Sequence, residues 1–233
     1  MTQVIVILSA AMLAGSLAGA QAQTAPPQAQ AAPATPAAAS TLGPSELVQQ
    51  VAQGMLGDLD KDRAVYRRDP AKVAGLVDKY LLPHFDTRFA AQLVLGKNWR
   101  TATPDQRQRF VNAFYHSVLT NYGSALVDFT ADRLKIYPTN VGPDATRATV
   151  RTEVKRQSGD VVSVNYYLRK TPDGWKAWDV VIDGISYVNS YREDFGSQIE
   201  QQGLDAVIKR LESGQSPNAI AHQSLSSNQG GSH

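Results

Sequence analysis

The chain has 233 residues, of which 42% are hydrophobic, a formal net charge of +2 and no cysteine. The lack of cysteine excludes disulfides, thiol catalysis and thiolate metal sites. The mild positive charge falls short of the clustered, strongly basic face that is typical of nucleic-acid-binding proteins, so no nucleic-acid partner is expected.

The two ends of the chain differ in composition from its middle. Residues 1–22 combine an apolar run with small-x-small cleavage patterns, which predicts a cleaved export signal, although no Lys or Arg precedes the run. Residues 23–41, rich in Ala, Pro and Gln, predict a disordered linker, and the polar residues 213–233 predict a disordered tail. Residues 42–212 remain, which is enough for one domain with a sizeable core.

Helical spacing of apolar residues dominates the first half of this domain. A first helix is predicted to begin at Pro44 and a second at Pro70, because proline suits the first helical position. A short third helix is predicted from Asp86 to Leu95, ending at Gly96.

The strongest helix signal follows residue 102. Thr103 and Gln106 have the spacing of a capping box, and Pro104 occupies the first helical position. The predicted helix carries one continuous stripe of large apolar residues at helical spacing, which consists of Phe110, Phe114, Val118, Tyr122 and Leu126.

After Pro138 the apolar period changes from about 3.6 to 2, which indicates strands. Short turns separate the alternating segments, so we predict an antiparallel meander with one apolar and one polar face. The predicted strands cover residues 133–137, 148–155, 162–169 and a segment that begins at Trp175.

Two helices are predicted to follow the sheet, over residues 186–201 and 204–211. The fold class is therefore α+β, with N-terminal helices, a curved antiparallel sheet of about four strands, and C-terminal helices.

Few residues offer catalytic chemistry. The sequence contains no His-Glu-x-x-His helix, no Gly-x-Ser-x-Gly elbow and no phosphate-binding glycine loop. His84 and His116 are interpreted as partly exposed or core-edge residues. Asp179 and Asp183 are expected on one solvent-facing side of a strand, with Asp183 available to cap the next helix. The missing motifs remove the common hydrolases and every nucleotide-driven motor, and we predict no metal site and no cofactor.

Three basic residues, Arg147, Arg151 and Lys155, share one face of a predicted strand. An ordinary solvated sheet face is one interpretation. The other is a docking surface for a membrane protein or for anionic head groups.

Between Gly174 and Phe195, aromatic and apolar residues occur first at strand spacing and then, after Gly184, at helical spacing. Such stripes usually fill a close-packed core, and patterning alone does not distinguish a core from the wall of an apolar cavity.

The same segment contains the motif Trp-x-x-x-Asp-Val-x-x-x-Gly-x-Ser, followed by Tyr-Arg and a further aromatic residue. It resembles the C-terminal signature of the MlaC family, the periplasmic phospholipid-binding proteins also known as toluene-tolerance auxiliary proteins. The resemblance extends from Leu42 to Leu211, and is also specific at Asn98-Trp99-Arg100 and over residues 103–122.

The resemblance implies a phospholipid carrier of the periplasm with no catalytic role and with phospholipid as its cargo. Its implied partners are an outer-membrane lipoprotein complex and an inner-membrane ABC transporter complex with a substrate-binding MCE-type protein. The implied task is to maintain the lipid asymmetry of the outer membrane. The implied fold joins an NTF2-like cone to helices that enclose an apolar cavity.

The phase of the apolar patterns predicts which residues would line that cavity. Residues of the helical stripes would form one wall, and inward-facing strand residues would form the other. The predicted lining residues are Leu93, Phe114, Val118 and Tyr122 on the helices, Val150, Val164, Tyr166, Trp178, Val180 and Ile182 on the sheet, and Ile185, Val188 and Tyr191 near the mouth.

Two interpretations from other classes stay open. An NTF2-like cone can hold a small-molecule enzyme if a carboxylate or histidine projects into its cavity, and Asp128 and His116 are the nearest candidates. A periplasmic interaction module with a solid core is the second alternative.

Overall fold

The structure is a computed structural model that describes residues 42–126, 134–155 and 159–215; for residues 70, 71 and 119–126 it describes the backbone alone. The predicted export signal, the linker, most of the predicted tail, and Asp128 lie outside the described residues. Within the described ranges no helix combines the length and the apolar character needed to cross a membrane.

Helices form the first part of the domain, and each predicted helix is present. Two short helices and a 3-10 turn at Leu82–His84 add to them. The helices are α1 (Pro44–Lys61), α2 (Arg63–Arg68), α3 (Pro70–Tyr80), α4 (Thr87–Leu95), α5 (Lys97–Thr101) and α6 (Pro104–Leu126).

The predicted capping box at the start of α6 is confirmed. The Thr103 backbone N–H donates to Gln106 Oε1 at 2.9 Å, and the Gln106 backbone N–H donates to Thr103 Oγ1 at 3.2 Å. These two bonds satisfy donors that a helix start otherwise leaves free, so the sequence fixes the beginning of the longest helix locally.

A five-stranded antiparallel sheet follows, with its strands in the order of the chain. The predicted α+β class and meander are confirmed, with one strand more than predicted. The strands are β1 (Leu134–Ile136), β2 (Arg147–Lys155), β3 (Val161–Thr171), β4 (Gly174–Ile182) and β5 (Ile185–Ser186).

The extra strand arises at a tight turn. Asp183 and Gly184 have φ angles of 48° and 84°, so both lie in the left-handed region. Consecutive positive φ angles are typical of a two-residue hairpin turn, and Asp-Gly is a favoured sequence for it. The chain therefore folds back beside β4 for two residues before it becomes helical.

A β-bulge in β4 changes which side chains share a face. Tyr167 pairs with Asp179 and Leu168 pairs with Ala177, so Trp178 is the additional residue. The expectation that Trp178 shares a face with Val180 and Ile182 was wrong. An inserted residue reverses the alternation, and short-range pattern reading cannot locate it.

The sheet has two faces, which we name after the helices that contact them. The α1 face carries Val150 and Leu168, which pack with Leu47 and Val51 of α1. The α7 face carries Tyr167 and is contacted by the C-terminal helix that begins at Tyr187.

The last two helices are α7 (Tyr187–Gln202) and α8 (Leu204–Glu212), and they pack with α4 and α6. Together these four helices enclose a cluster that we call the helical core. Phe110, Phe195, Ile208 and Leu211 have 0% exposed surface within it. The Phe110 and Phe195 rings meet edge to face, with 5.5 Å between their centroids.

Candidate functional site

One half of the α1 face carries an apolar surface of unusual composition. Its members are sheet residues throughout the described part of the chain, whereas the other core clusters contain helix residues. We call this surface the apolar patch; it consists of the buried Val154, Val162 and Val164 and the partly buried Leu134, Tyr166, Val180 and Ile182.

One polar side chain lies among these residues, and its hydroxyl is satisfied locally. Thr152 is 1% exposed, and its Oγ1 donates to the Val164 carbonyl oxygen at 2.7 Å. A buried hydroxyl with a partner carries little penalty, so Thr152 presents mainly its methyl group. The surface therefore offers hydrocarbon almost without interruption.

Tyr166 has two properties that a close-packed residue does not combine. Burial among protein atoms raises the pKa of its phenol, yet part of its side-chain surface stays accessible. Its hydroxyl forms no hydrogen bond within the described ranges. Part of the ring therefore has no protein neighbour. The hydroxyl is not among the buried polar atoms that lack a partner, so water or a bound ligand can reach it.

The apolar patch continues to solvent at the β4–β5 turn. Ile185 lies directly opposite Ile182 on the α1 face, and 42% of its surface is exposed. Val161, at the same end of the sheet, is 58% exposed but belongs to the opposite face, because its neighbour Val162 faces the patch. Ile185 is therefore the exposed rim of the patch.

A buried carboxylate fixes α7 against the sheet. Asp179 is 4% exposed; its Oδ2 accepts from Ser186 Oγ at 2.6 Å and its Oδ1 accepts from the Val188 backbone N–H at 3.0 Å. Ser186 caps α7 by accepting from the Asn189 backbone N–H. The expectation of a solvent-facing Asp179 was wrong, since the bulge at Trp178 turns the carboxylate toward α7.

The expected capping role of Asp183 was also wrong. Its Oδ1 accepts from the Ser163 backbone N–H at 3.0 Å, a contact that joins the β4–β5 turn to β3. The carboxylate thus stabilises the turn, and the cap of α7 comes from the serine three residues further on.

The predicted lining residues fall into separate groups. Most of the helical ones belong to the helical core, and so does Trp178. The side chain of Tyr122 lies outside the described residues. Leu93, Phe114, Val118, Trp178, Val188 and Tyr191 contact the helical core, Val150 packs beneath α1, and Val164, Tyr166, Val180 and Ile182 belong to the apolar patch with Ile185 at its rim.

The structure therefore does not bring the predicted residues into one wall. It brings together four of the predicted sheet residues and adds Leu134, Val154 and Val162 to them. The sequence signal for the added valines is their strict alternation with polar residues along β2 and β3. Their contact with lipid stays a prediction.

A second concave feature lies at the opposite end of the sheet. It is a pocket of about 300 Å³, lined by the aromatic residues Phe89 and Trp178 and by Thr146, Arg147, Arg169 and Lys170. Of the predicted docking residues, Arg147 is among its walls, whereas Arg151 and Lys155 are not.

The candidates for acid–base chemistry do not converge. His116 is exposed on α6. Burial, and then the charge of Lys176, lower the pKa of His84 in the 3-10 turn. Both oxygens of Asp179 already accept hydrogen bonds. Across residues 42–126, 134–155 and 159–215, no three His, Asp or Glu side chains are grouped so that they could hold a metal ion.

The fold and the apolar patch define a class: an α+β protein that presents hydrocarbon on one face of an antiparallel meander. The family model described as MlaC protein matches residues 49–213, so the chain belongs to the MlaC family. The chain is 29% identical to the toluene tolerance protein ttg2D of Pseudomonas putida, over 70% of this chain and 75% of the relative.

Two further similarities agree with this assignment. The intermembrane phospholipid transport system binding protein MlaC of Haemophilus influenzae is 22% identical over 81% of this chain and 90% of its own length. A phospholipid-binding protein from Ralstonia solanacearum, solved in complex with a phospholipid, matches with a TM-score of 0.69 and 25% identity. That match covers 74% of this chain and 97% of the solved chain.

Proposed function

We propose that this protein is a periplasmic carrier that shuttles a phospholipid between membrane complexes and so maintains the lipid asymmetry of the outer membrane. The observation that carries the proposal is the apolar patch, in which Tyr166, Val180 and Ile182 keep accessible surface. The relatives in P. putida, H. influenzae and R. solanacearum support the same class of function.

In this proposal the acyl chains lie against the apolar patch. Burying one methylene group contributes about 0.8 kcal/mol, so two long acyl chains gain roughly 20 kcal/mol of gross driving force. The patch must therefore be nearly as apolar as the bilayer interior, and its valine, leucine, isoleucine and tyrosine side chains carry no charge. The Tyr166 hydroxyl is available to donate to an ester carbonyl of the lipid.

The rim suggests how the cargo enters. Ile185 is the exposed apolar residue of the α1 face at the β4–β5 turn, and the adjoining Ile182 is partly buried. Acyl chains that pass from the rim to the patch would meet apolar surface at each step. The head group would then stay near the solvent, which requires no fixed polar site inside the protein.

Transfer requires partners, and we propose the inner-membrane ABC transporter complex with its MCE-type protein and the outer-membrane lipoprotein complex. Residues 1–22 would direct export, and residues 23–41 would act as a linker. Arg147, Arg151 and Lys155 would contact the partners. Docking would shift the helices relative to the sheet and so favour uptake or release of the lipid.

Lipid extraction and mass spectrometry of the purified full chain test the proposal. We expect phospholipid in about equimolar or smaller amount, and uptake of labelled phospholipid from vesicles after the protein has been delipidated. Recovery of no phospholipid, together with no uptake from vesicles, would contradict the carrier function.

A further inference from the structure

We propose that the aromatic and basic pocket at the end of the sheet, lined by Phe89, Arg147, Arg169, Lys170 and Trp178, is a docking site for an acidic segment of a partner protein. The inference rests on the proposed function, in which the protein exchanges its cargo with protein complexes. It names the chemistry by which one such complex would be recognised. We call this feature the basic pocket.

Basic residues lie opposite one another on neighbouring strands at the pocket. Arg147 of β2 lies directly opposite Arg169 of β3, which lies directly opposite Lys176 of β4. Like charges at directly opposite positions of a sheet destabilise it, because their side chains lie close together. Three such positions in one row would be relieved by an anionic group bound across them.

The carboxylates of the described residues only partly neutralise this row. Asp86 lies 3.4 Å from Arg169, and Asp173 lies 3.2 Å from Lys176. Arg147 has no ion pair within the described ranges, and its side chain is exposed. The Lys170 ammonium lies 5.2 Å from the centre of the Trp175 ring, which belongs to the cluster beneath α1, so it faces away from the pocket. One unpaired cation, Arg147, therefore remains at the pocket to meet a negatively charged partner.

The Arg169 side chain is held in place before any partner binds. The Arg169 guanidinium lies 4.3 Å above the Phe89 ring, so its plane is fixed by that ring as well as by Asp86. The Phe89 and Trp178 rings meet edge to face, with 5.7 Å between their centroids. A guanidinium held in one orientation loses less entropy when it binds a carboxylate.

Backbone contacts join the walls of the pocket. The Asp86 backbone N–H donates to the Ala177 carbonyl oxygen at 2.7 Å, and Phe85 forms a parallel bridge with Ala177. The Asp86 carboxylate also accepts from the Phe89 backbone N–H at the start of α4. The pocket walls from α4 and from β4 are thus joined rigidly.

Shape favours a protein segment over a membrane surface as the occupant. A pocket of about 300 Å³ accepts one or two side chains, and its aromatic walls suit their apolar portions. The unpaired Arg147 cation beside those walls suits a carboxylate end. A flat anionic membrane would reach the exposed Arg147 but would leave the rings of Phe89 and Trp178 without a contact.

The test uses the full chain and a capped hexaglutamate peptide at low ionic strength, with binding followed by isothermal titration calorimetry. We expect saturable binding that weakens at least about tenfold in Arg147→Glu. Lys72→Glu, which reverses an exposed cation on α3, should leave the affinity unchanged within about twofold. Arg147→Lys should bind more weakly than wild type but more tightly than Arg147→Glu, because it keeps the charge and loses the fork of donors.

Two controls separate the possible failures. Circular dichroism and Tm identify a variant that does not fold. In that case Trp178→Leu is used in its place, because it removes one wall of the pocket and no charge. The same loss of peptide affinity is expected for it. Lipid content by mass spectrometry should be unchanged in every variant, so a loss of lipid would concern the proposed carrier function and not this site. Equal peptide affinity in wild type and Arg147→Glu would overturn the inference. Absence of peptide binding by the wild type would also overturn it. The same holds if the variants lose binding to phosphatidylglycerol vesicles but keep the wild-type affinity for the peptide.

Discussion

The helical core and the apolar patch are both built from large apolar residues, but they are packed differently. In the helical core, Phe110 and Phe195 are 0% exposed and meet aromatic neighbours at about 5.5 Å. In the patch, Tyr166, Val180 and Ile182 are only partly buried although they belong to the same sheet as fully buried residues. Hydrophobic composition is shared by the two regions, and completeness of packing separates them.

Under the proposed function, this difference implies separate tasks for the two regions. Removing or adding side-chain atoms in a close-packed core destabilises the protein, so such a core maintains the fold. A surface with unfilled contacts can exchange neighbours, so it can receive hydrocarbon and release it. The predictions below therefore ask whether stability depends on the helical core while lipid binding depends on the patch.

The largest expected effect concerns Phe195. Phe195→Ala should lower the free energy of unfolding by about 3–5 kcal/mol, because it opens a cavity among side chains that cannot collapse into it. Urea denaturation measures the loss. Val180→Ala is the matched deletion in the patch and should cost about 1 kcal/mol or less, since Val180 is only partly buried. Similar losses for both variants would remove the distinction between the two regions.

The next effect concerns lipid affinity. Ile182→Asp should lower the affinity for phospholipid about a hundredfold, because a carboxylate would have to lose its water against acyl chains. Vesicle-to-protein transfer of a fluorescent phospholipid measures it. Val161→Asp places the same charge at the same end of the sheet, but on the opposite face and 58% exposed, and should bind lipid as wild type does. Equal losses would mean that the patch is not the binding surface.

A smaller effect is expected at the corner that joins the two regions. Asp179→Asn should lower the free energy of unfolding by about 1–3 kcal/mol, because the amide group leaves a buried donor at Ser186 or Val188 unsatisfied. Asp183→Asn is the control, since asparagine tolerates the left-handed conformation of the turn. We expect thermal denaturation to separate the two variants clearly. A wild-type Tm for Asp179→Asn would show that the carboxylate does not anchor α7.

The smallest effect concerns one hydroxyl group. Tyr166→Phe should leave the stability of the delipidated protein unchanged or raise it slightly, because the hydroxyl has no partner in the described part of the chain. If the hydroxyl donates to the lipid, the same variant should lower phospholipid affinity about fivefold. Parallel measurements of Tm and lipid transfer check both halves. Reduced stability without a change in transfer would place the hydroxyl bond within the protein.

Local sequence signals predicted much of the fold. The capping box at Thr103, the prolines at positions 44 and 104, and the alternation along β2 and β3 each act within a few residues, so they can be read without knowledge of the tertiary structure. The fold class and the order of the elements followed from them.

The site was harder to predict, because it depends on contacts that are distant in sequence. The bulge at Trp178 reverses the side-chain alternation. Trp178 therefore lies on the opposite face from Val180, and Asp179 is buried instead of facing the solvent. The stripe of Phe110 and Phe114 has the same periodicity whether it lines a cavity or fills a core. Only the partners from α7 and α8 show that it is packed.

The central claim is that phospholipid binds on the apolar patch and not within the helical core. NMR of methyl-labelled, lipid-loaded protein tests it most directly, through nuclear Overhauser effects between acyl-chain protons and assigned methyl groups. The account predicts such effects for Val164, Val180 and Ile182, and none for Val207 and Ile208, which are 0% exposed. Acyl-chain contacts with Val207 and Ile208, without contacts at the patch, would contradict it.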